Sequence, residues 1–164
     1  MRWFAVLAVV VACPLAHAHD LYESWTAVAV RPDGLALNLT LAQATALQLV
    51  DSAARIHELT PENFAAVRPA FAQAARELYV LTAASTALAP RSVEVELTDE
   101  GDIAFRLRYP PVAAGALKFH ATFLRRLGEG YTSLLAVDAA DGKQLGWDQL
   151  TTENPDLEVR LPGR

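Results

Sequence analysis

The sequence is poor in cysteine and in charge. Its 164 residues include one cysteine, Cys13, and only 20% charged residues. One cysteine cannot form an internal disulfide, and removal of the segment that holds it would leave no thiolate for metal binding or nucleophilic catalysis. The formal charge is −5, and the lysines and arginines are scattered. The chain therefore lacks the basic cluster that nucleic-acid binding requires.

Common catalytic motifs are also absent. The sequence contains no Gly-x-Ser-x-Gly, no phosphate-binding P-loop, no Gly-x-Gly-x-x-Gly and no His-Glu-x-x-His, the patterns that mark several large enzyme classes. Ser133 has no base near it in sequence, so nothing supports a serine nucleophile. We expect a non-enzymatic protein, with an unrecognised hydrolytic or redox enzyme as the alternative.

The longest apolar run lies at the N-terminus. Arg2 precedes the apolar residues 3–12, and Ala16-His17-Ala18 fits the small-x-small rule for signal-peptide cleavage. Ten helical residues rise about 15 Å, half the thickness of a bilayer core, which favours a leader over a membrane anchor. Residues 1–18 are thus predicted to be a signal peptide and residues 19–164 a single domain, periplasmic or secreted. Lipidation at Cys13 is the alternative, which Pro14 disfavours.

Behind this leader, strand patterns alternate with turns. Residues 22–30 and 35–41 predict a hairpin, because Arg31-Pro32-Asp33-Gly34 between them has the composition of a tight turn. Period-two alternation predicts further strands at 91–97, 103–108, 117–123, 132–137, 143–150 and 157–161. About eight short strands in sequential hairpins predict a mainly β fold, an antiparallel immunoglobulin-like β-sandwich with a helical insertion.

Two helical segments form the predicted insertion. Residues 43–57 are rich in alanine and leucine at helical spacing. Thr60-Pro61-Glu62 is typical of a helix start, and apolar residues at intervals of three and four extend this second helix to about Tyr79. Pro69 inside it predicts a kink or a division. We expect the helical stretch at one edge or end of the sandwich.

Charged residues are expected on strand surfaces. Glu94 and Glu96 are predicted to face Arg106 and Arg108 across the hairpin that joins residues 91–97 and 103–108. The adjacent pair Arg125-Arg126 is predicted to be a solvated strand end. None of these residues requires a functional explanation.

Histidines are the main candidates for chemistry. Cleavage after Ala18 would leave His19 as the amino terminus, where its α-amine and imidazole can chelate copper together. A second imidazole from His57 or His120 would complete a three-nitrogen site. A frayed terminus and ordinary surface histidines explain the same residues without a metal. A copper-binding protein is therefore an alternative function.

Three aromatic residues are candidates for a ligand-contacting surface. They are Trp25, Trp147 and Tyr131. Aromatic side chains supply much of the packing in protein cores. The sequence alone favours core or edge packing for all three.

Two segments carry a family resemblance. Ala18-His19-Asp20-Leu21 before a hairpin, and the later run Leu-Lys-Phe-His-Ala-Thr-Phe-Leu at 117–124, resemble the extracytoplasmic region of HupE/UreJ-type proteins over most of residues 19–162. In that family a β-rich exported domain precedes a multi-span membrane part, and some members are linked to nickel uptake for hydrogenase or urease. This chain ends at Arg164 before any such part, so the resemblance implies no permease activity. It implies an accessory or binding domain on the outer side of the membrane. We expect such a module to recognise a transition metal, copper or nickel, or a membrane-protein partner.

Overall fold

The described part of the chain is mainly β. The computed structural model describes residues 22–50 and 56–162; the predicted signal peptide and His19 lie outside them. The strands within these ranges are β1 Glu23–Arg31, β2 Gly34–Leu41, β3 Tyr79–Ala83, β4 Thr86–Leu88, β5 Ser92–Leu97, β6 Ile103–Tyr109, β7 Gly115–Ala121, β8 Thr132–Asp138, β9 Gln144–Thr151 and β10 Asp156–Leu161. The helices there are α1 Gln43–Gln48, α2 Pro61–Ala75 and α3 Thr122–Leu127. None of these helices is long and apolar enough to cross a membrane.

The strands form two sheets. One has six strands in the order β5-β6-β2-β1-β8-β9, and the other has four in the order β10-β7-β3-β4. Strand β1 pairs antiparallel with β2 and parallel with β8. The parallel pair corrects the expectation of a wholly antiparallel sandwich, which considered only strands that follow each other in sequence. The mainly β sandwich is confirmed, whereas the immunoglobulin-like type is not established.

The core lies between the sheets and follows the alternation of the strands. Leucines at every second position of β2 are each at most 1% exposed, and Phe119 of β7 is fully buried. The β2 leucines are Leu35, Leu37, Leu39 and Leu41. Burial of each such side chain stabilises the fold by roughly 1.5–3 kcal/mol before entropic costs. The predicted period-two core is therefore present.

Helix α2 packs against strands β5 and β6 of the larger sheet. Phe71 is fully buried, and its ring meets Phe105 of β6 edge-on at a centroid distance of 6.2 Å. The predicted start is confirmed, since the Asn63 side chain accepts a hydrogen bond from the Thr60 backbone N–H at 2.9 Å. The predicted end at Tyr79 is wrong, because the helix stops at Ala75. Pro69 does not divide the helix; it lies on the exposed face, where water can hydrate the carbonyl it leaves unpaired.

Two other predicted elements differ from the structure. Helix α1 ends at Gln48 instead of residue 57; residues 51–55 lie outside the described ranges. The strand predicted over 117–123 ends at Ala121, and the chain continues into α3. Phe123, Leu124 and Leu127 are all buried, which is the spacing of one helix face rather than of a strand.

The arginine pair therefore belongs to a helix. Arg125 and Arg126 lie in the last turn of α3 and not at a strand end. The guanidinium of Arg126 donates a hydrogen bond to the carbonyl oxygen of Leu49 at 2.9 Å. This contact connects α3 to Leu49, the C-cap residue of α1.

Candidate functional site

The outer face of the six-stranded sheet carries two exposed tryptophans. Trp25 on β1 is 55% exposed and Trp147 on β9 is 59% exposed. Between these strands, β8 places Leu134 beside Trp25 and Ala136 beside both Ala27 and Trp147. We call Trp25, Ala27, Leu134, Ala136 and Trp147 the tryptophan face.

Buried and exposed side chains alternate along β1, and this alternation places the Trp25 side chain on the outer face of the sheet. Thr26 and Val28 are almost fully buried between the sheets. Because successive side chains of a strand point to opposite faces, Trp25 and Ala27 must point outward. Ala27 and Ala136 rise only one carbon above the backbone. The indoles therefore flank a shallow apolar floor that a partner's side chains can reach.

Polar residues continue the same surface toward the opposite sheet edge. The row that begins with Trp147 and Ala136 runs through Ala27 and Asn38 to Arg106. Arg106 Nη1 lies 2.7 Å from Glu96 Oε2, and both side chains are about half exposed (50% and 54%). The predicted pairing of arginine with glutamate across this hairpin is thus confirmed for Arg106, which pairs diagonally with Glu96, but is wrong for Arg108. Exposed pairs of this kind contribute little to stability, about 0–1 kcal/mol.

Arg108 adds a second guanidinium to this polar end. It is exposed, lies opposite Ser92, and forms no ion pair within residues 22–50 and 56–162. The outer face is therefore aromatic and apolar at one end and rich in arginine at the other.

His120 lies on the outer face of the smaller sheet. Its Nδ1 is 2.9 Å from Asp156 Oδ1, across the pairing of β7 with β10. The hydrogen bond from His120 holds the pKa of Asp156 below its ordinary value, with a smaller contribution from Lys118, whose Nζ is 3.5 Å from Oδ2. A carboxylate on one ring nitrogen orients the imidazole and leaves Nε2 as a ligand. Metal-binding histidines are commonly held in this way.

The other predicted metal ligands do not join His120 in the described structure. His57 is exposed in the segment before α2. No group of three or more histidine, cysteine, aspartate or glutamate residues in the described ranges could hold a metal ion. His19 lies outside those ranges, so the copper site at the mature N-terminus stays a prediction.

A buried hydroxyl cluster joins the two sheets. The Tyr79 hydroxyl from β3 lies 2.8 Å from Thr26 Oγ1 and 3.3 Å from Ser133 Oγ, and these two oxygens are 3.3 Å apart. Burial raises the pKa of Tyr79 to about 12, so the phenol stays neutral. No imidazole, carboxylate or amine is among the hydrogen-bond partners of Ser133 in the described residues. The cluster is arranged to hold the sheets together and offers no base to activate the serine.

The aromatic candidates separate into two groups. The expectation of packing is wrong for Trp25 and Trp147, whose side chains face outward. Tyr131 packs at an edge as expected: its ring lies 5.1 Å from that of Tyr22, and its hydroxyl accepts a hydrogen bond from Gln48 at 3.0 Å.

The outward orientation of Trp25 could have been predicted from the sequence. Counting back through the predicted hairpin places Trp25 opposite Thr40, as observed. Thr40 alternates with the core leucines of β2, so its partner must also lie on the outer face. The position of Trp147 had no comparable signal, since the irregular pairing between Val137 and Asp138 shifts the register of β9.

Comparisons with protein families and with curated proteins identify no relative. No protein family matches the chain, and no curated protein is significantly similar to it. The candidate functional residues are therefore those of the tryptophan face, together with His120 and Asp156.

Proposed function

We propose that this protein is a non-enzymatic binding module that acts outside the cytoplasm and attaches to a membrane-protein partner through the tryptophan face. One observation supports this above all others: both tryptophans in the described residues are exposed, on the same face of one sheet. Tryptophan is on average highly buried. Exposure of two such side chains on one side of a sandwich is typical of a recognition surface.

The composition of the face fits contact with a protein. Tryptophan and arginine are the residues most enriched among those that dominate binding free energy in protein interfaces. Here Trp25 and Trp147 flank the alanine floor, and Arg106 and Arg108 follow along the sheet. The complementary partner surface would carry apolar side chains that fit between the indoles and acidic groups that meet the guanidinium groups. The leader-like residues 1–18 and the HupE/UreJ resemblance support an extracytoplasmic, membrane-bound partner.

Position-specific photo-crosslinking in the native cells tests this proposal. A benzophenone amino acid at Asn38, which adjoins the tryptophan face, should give one discrete adduct in the membrane fraction. The same probe at Glu158, exposed on the outer face of the smaller sheet, should not give it. An adduct of equal yield from both positions, or none from Asn38, would overturn the proposal.

A double substitution shows whether the adduct requires binding through the tryptophans or only a partner that lies near Asn38. Trp25→Ala with Trp147→Ala should abolish the adduct formed from Asn38, because the main apolar anchors are lost. Val80→Ala is the matched control, since Val80 is an exposed hydrophobic residue (46%) outside the tryptophan face. An adduct that persists in the double variant would show that the tryptophans do not carry the binding.

Copper binding is the second candidate function, favoured by the Asp156 carboxylate that orients His120. His120 Nε2 and the amine and imidazole of His19 would supply nitrogen donors, which suit Cu(II) and to a lesser degree Ni(II). Cu(II) titration of the mature chain should show tight binding that weakens with one extra residue before His19 and with His120→Gln. His57→Gln tests the other predicted ligand. Equal affinity in the extended and unextended chains would exclude the terminal chelate.

A further inference from the structure

A cleft opens at one end of the sandwich, and its lining includes no residue of the tryptophan face. It has a volume of about 740 Å³, within the range of small-molecule sites. Four chain segments form its walls: the β1–β2 turn, the loop between β6 and β7, the β8–β9 turn and the end of β10. The lining residues include Val30, Arg31, Val112, Ala114, Asp141 and Leu161.

Most of the described residues that line this cleft cannot move into it. Four of the lining residues are alanines and three are prolines, so more than half of them are short or ring-constrained. Alanine and proline have no rotamer freedom with which to move into the space. Val30, Val112 and Leu161 add apolar surface. The cleft is therefore preformed and mainly apolar.

Gly34 allows two walls of the cleft, the β1–β2 turn and the chain after β6, to lie in close contact. A Cβ at this position would lie 2.1 Å from the carbonyl oxygen of Tyr109, closer than atoms can approach. The β1–β2 turn is thus pressed against the end of β6, where Pro110 and Pro111 lead into the next wall. This close contact keeps Pro32 and Pro111 on a common rim.

The charged side chains of the cleft favour an anion. Asp141 uses Oδ1 to accept a hydrogen bond from the Lys143 backbone N–H at 3.0 Å, within its own turn. The Arg31 guanidinium has no hydrogen bond or ion pair with any side chain of the described residues. A guanidinium presents several donors in a plane, and two of them match the oxygens of a carboxylate or sulfonate.

We infer that the cleft binds an anionic amphiphile, a molecule with a compact apolar body and one carboxylate or sulfonate group. The apolar body lies against the alanine, proline and valine walls. The anionic group pairs with Arg31 at the rim. This inference does not depend on the proposed function, because none of its residues belongs to the tryptophan face.

The fluorescent probe 8-anilino-1-naphthalenesulfonate tests the site in the purified protein. Titration should show saturable binding of one probe per chain. Decanoate should displace the probe, and decyltrimethylammonium at the same concentration should not. Arg31→Gln should lower affinity for the probe about tenfold or more, since a hydrogen bond to a charged group is lost. Arg160→Gln, an exposed arginine on β10, is the matched control and should bind like the wild type.

Two further variants show whether the probe occupies the cleft itself. Ala114→Trp, at an exposed loop position, should fill the cleft and abolish probe binding while near-ultraviolet circular dichroism shows an intact fold. Trp25→Ala with Trp147→Ala should leave the affinity unchanged, which separates the cleft from the tryptophan face. Non-saturating binding, or Arg31→Gln and Ala114→Trp variants that bind like the wild type, would overturn the inference.

Discussion

Removal of one buried hydroxyl should weaken the contact between the sheets. Tyr79→Phe deletes the hydrogen bonds at 2.8 Å to Thr26 and 3.3 Å to Ser133. Each such bond contributes about 0.5–1.5 kcal/mol net. Thr26 and Ser133 keep their own contact at 3.3 Å, so neither is left without a partner. We therefore expect a loss of about 1–2 kcal/mol in the free energy of unfolding, and a decrease in Tm of about 2–8 °C.

Tyr109→Phe is the matched comparison with the opposite sign. Tyr109 is 2% exposed, and its hydroxyl has no hydrogen-bond partner among the described residues. A buried hydroxyl without a partner costs about 1–3 kcal/mol. Its removal should leave stability unchanged or raise it by up to about 2 kcal/mol, although the two substitutions delete the same atom from the same residue type.

Alkaline pH should reduce the difference between Tyr79→Phe and the wild type. Burial raises the pKa of Tyr79 to about 12 in the folded protein, against about 10 when unfolded. Above pH 10 the unfolded chain loses the phenolic proton first, so the wild type loses stability as pH rises toward 12. Phenylalanine has no such proton. The advantage of the wild type at pH 8 should therefore narrow between pH 10 and pH 11.

Urea unfolding followed by far-ultraviolet circular dichroism provides the measurement. Tryptophan fluorescence is a poor probe here, because Trp25 and Trp147 are exposed already in the folded protein. Equal stability of the wild type and Tyr79→Phe at pH 8 would refute the role of the hydroxyl cluster. A difference that stayed constant up to pH 11 would refute the neutral, buried state of the phenol.

Three further predictions concern two backbone positions and the contact between His120 and Asp156. Gly34→Ala should lower the unfolding free energy by at least about 2 kcal/mol in urea titrations, because the new Cβ would meet the Tyr109 carbonyl oxygen; a change below about 0.5 kcal/mol would contradict the close contact. Ala84→Gly should raise Tm, since Ala84 has a φ of 47° and this conformation costs alanine about 1 kcal/mol or more; no increase would argue against strain at this turn. Asp156→Asn should reduce the loss of stability on acidification. The pKa of the wild-type carboxylate is lowered chiefly by His120, so this group stabilises the fold above its unfolded pKa and loses that contribution as pH falls through the folded pKa. An unchanged dependence of stability on acidic pH would contradict this coupling.

Elements with strong local signals were predictable. The Pro-Asp-Gly turn and the β2 leucines placed the first hairpin within one residue of its observed bounds. Thr60 and Pro61 placed the start of α2, because capping is decided by a few adjacent residues. His120 was also placed within a predicted strand, as observed. Its carboxylate partner Asp156 could not be predicted, since it comes from a strand 36 residues away.

The remaining elements were decided by contacts that the local sequence does not encode. Strands β3 and β4 were missed because Tyr79 fits the end of an amphipathic helix. Their turn has positive φ at Ala84 and Ser85, without the glycine or asparagine that usually marks it. Helix α3 was predicted as a strand because Phe119, Ala121 and Phe123 continue an alternation. The parallel pairing of β1 with β8 joins residues more than 100 positions apart, a distance over which no pattern of turns or alternation gives information.

We propose a recognition role for the two exposed tryptophans because neither side chain belongs to the buried core. The interior is filled by leucine, phenylalanine and tyrosine, with Phe71, Phe105 and Phe119 at most 1% exposed. Truncation of an exposed side chain usually changes stability by less than about 0.5 kcal/mol, so Trp25→Ala with Trp147→Ala should unfold close to the wild-type urea midpoint. Loss of the photo-crosslinked adduct in a variant of normal stability would then report binding alone. A large decrease in the urea midpoint would instead mean that the indoles stabilise the sandwich, and it would contradict the proposal that the tryptophan face is a binding surface.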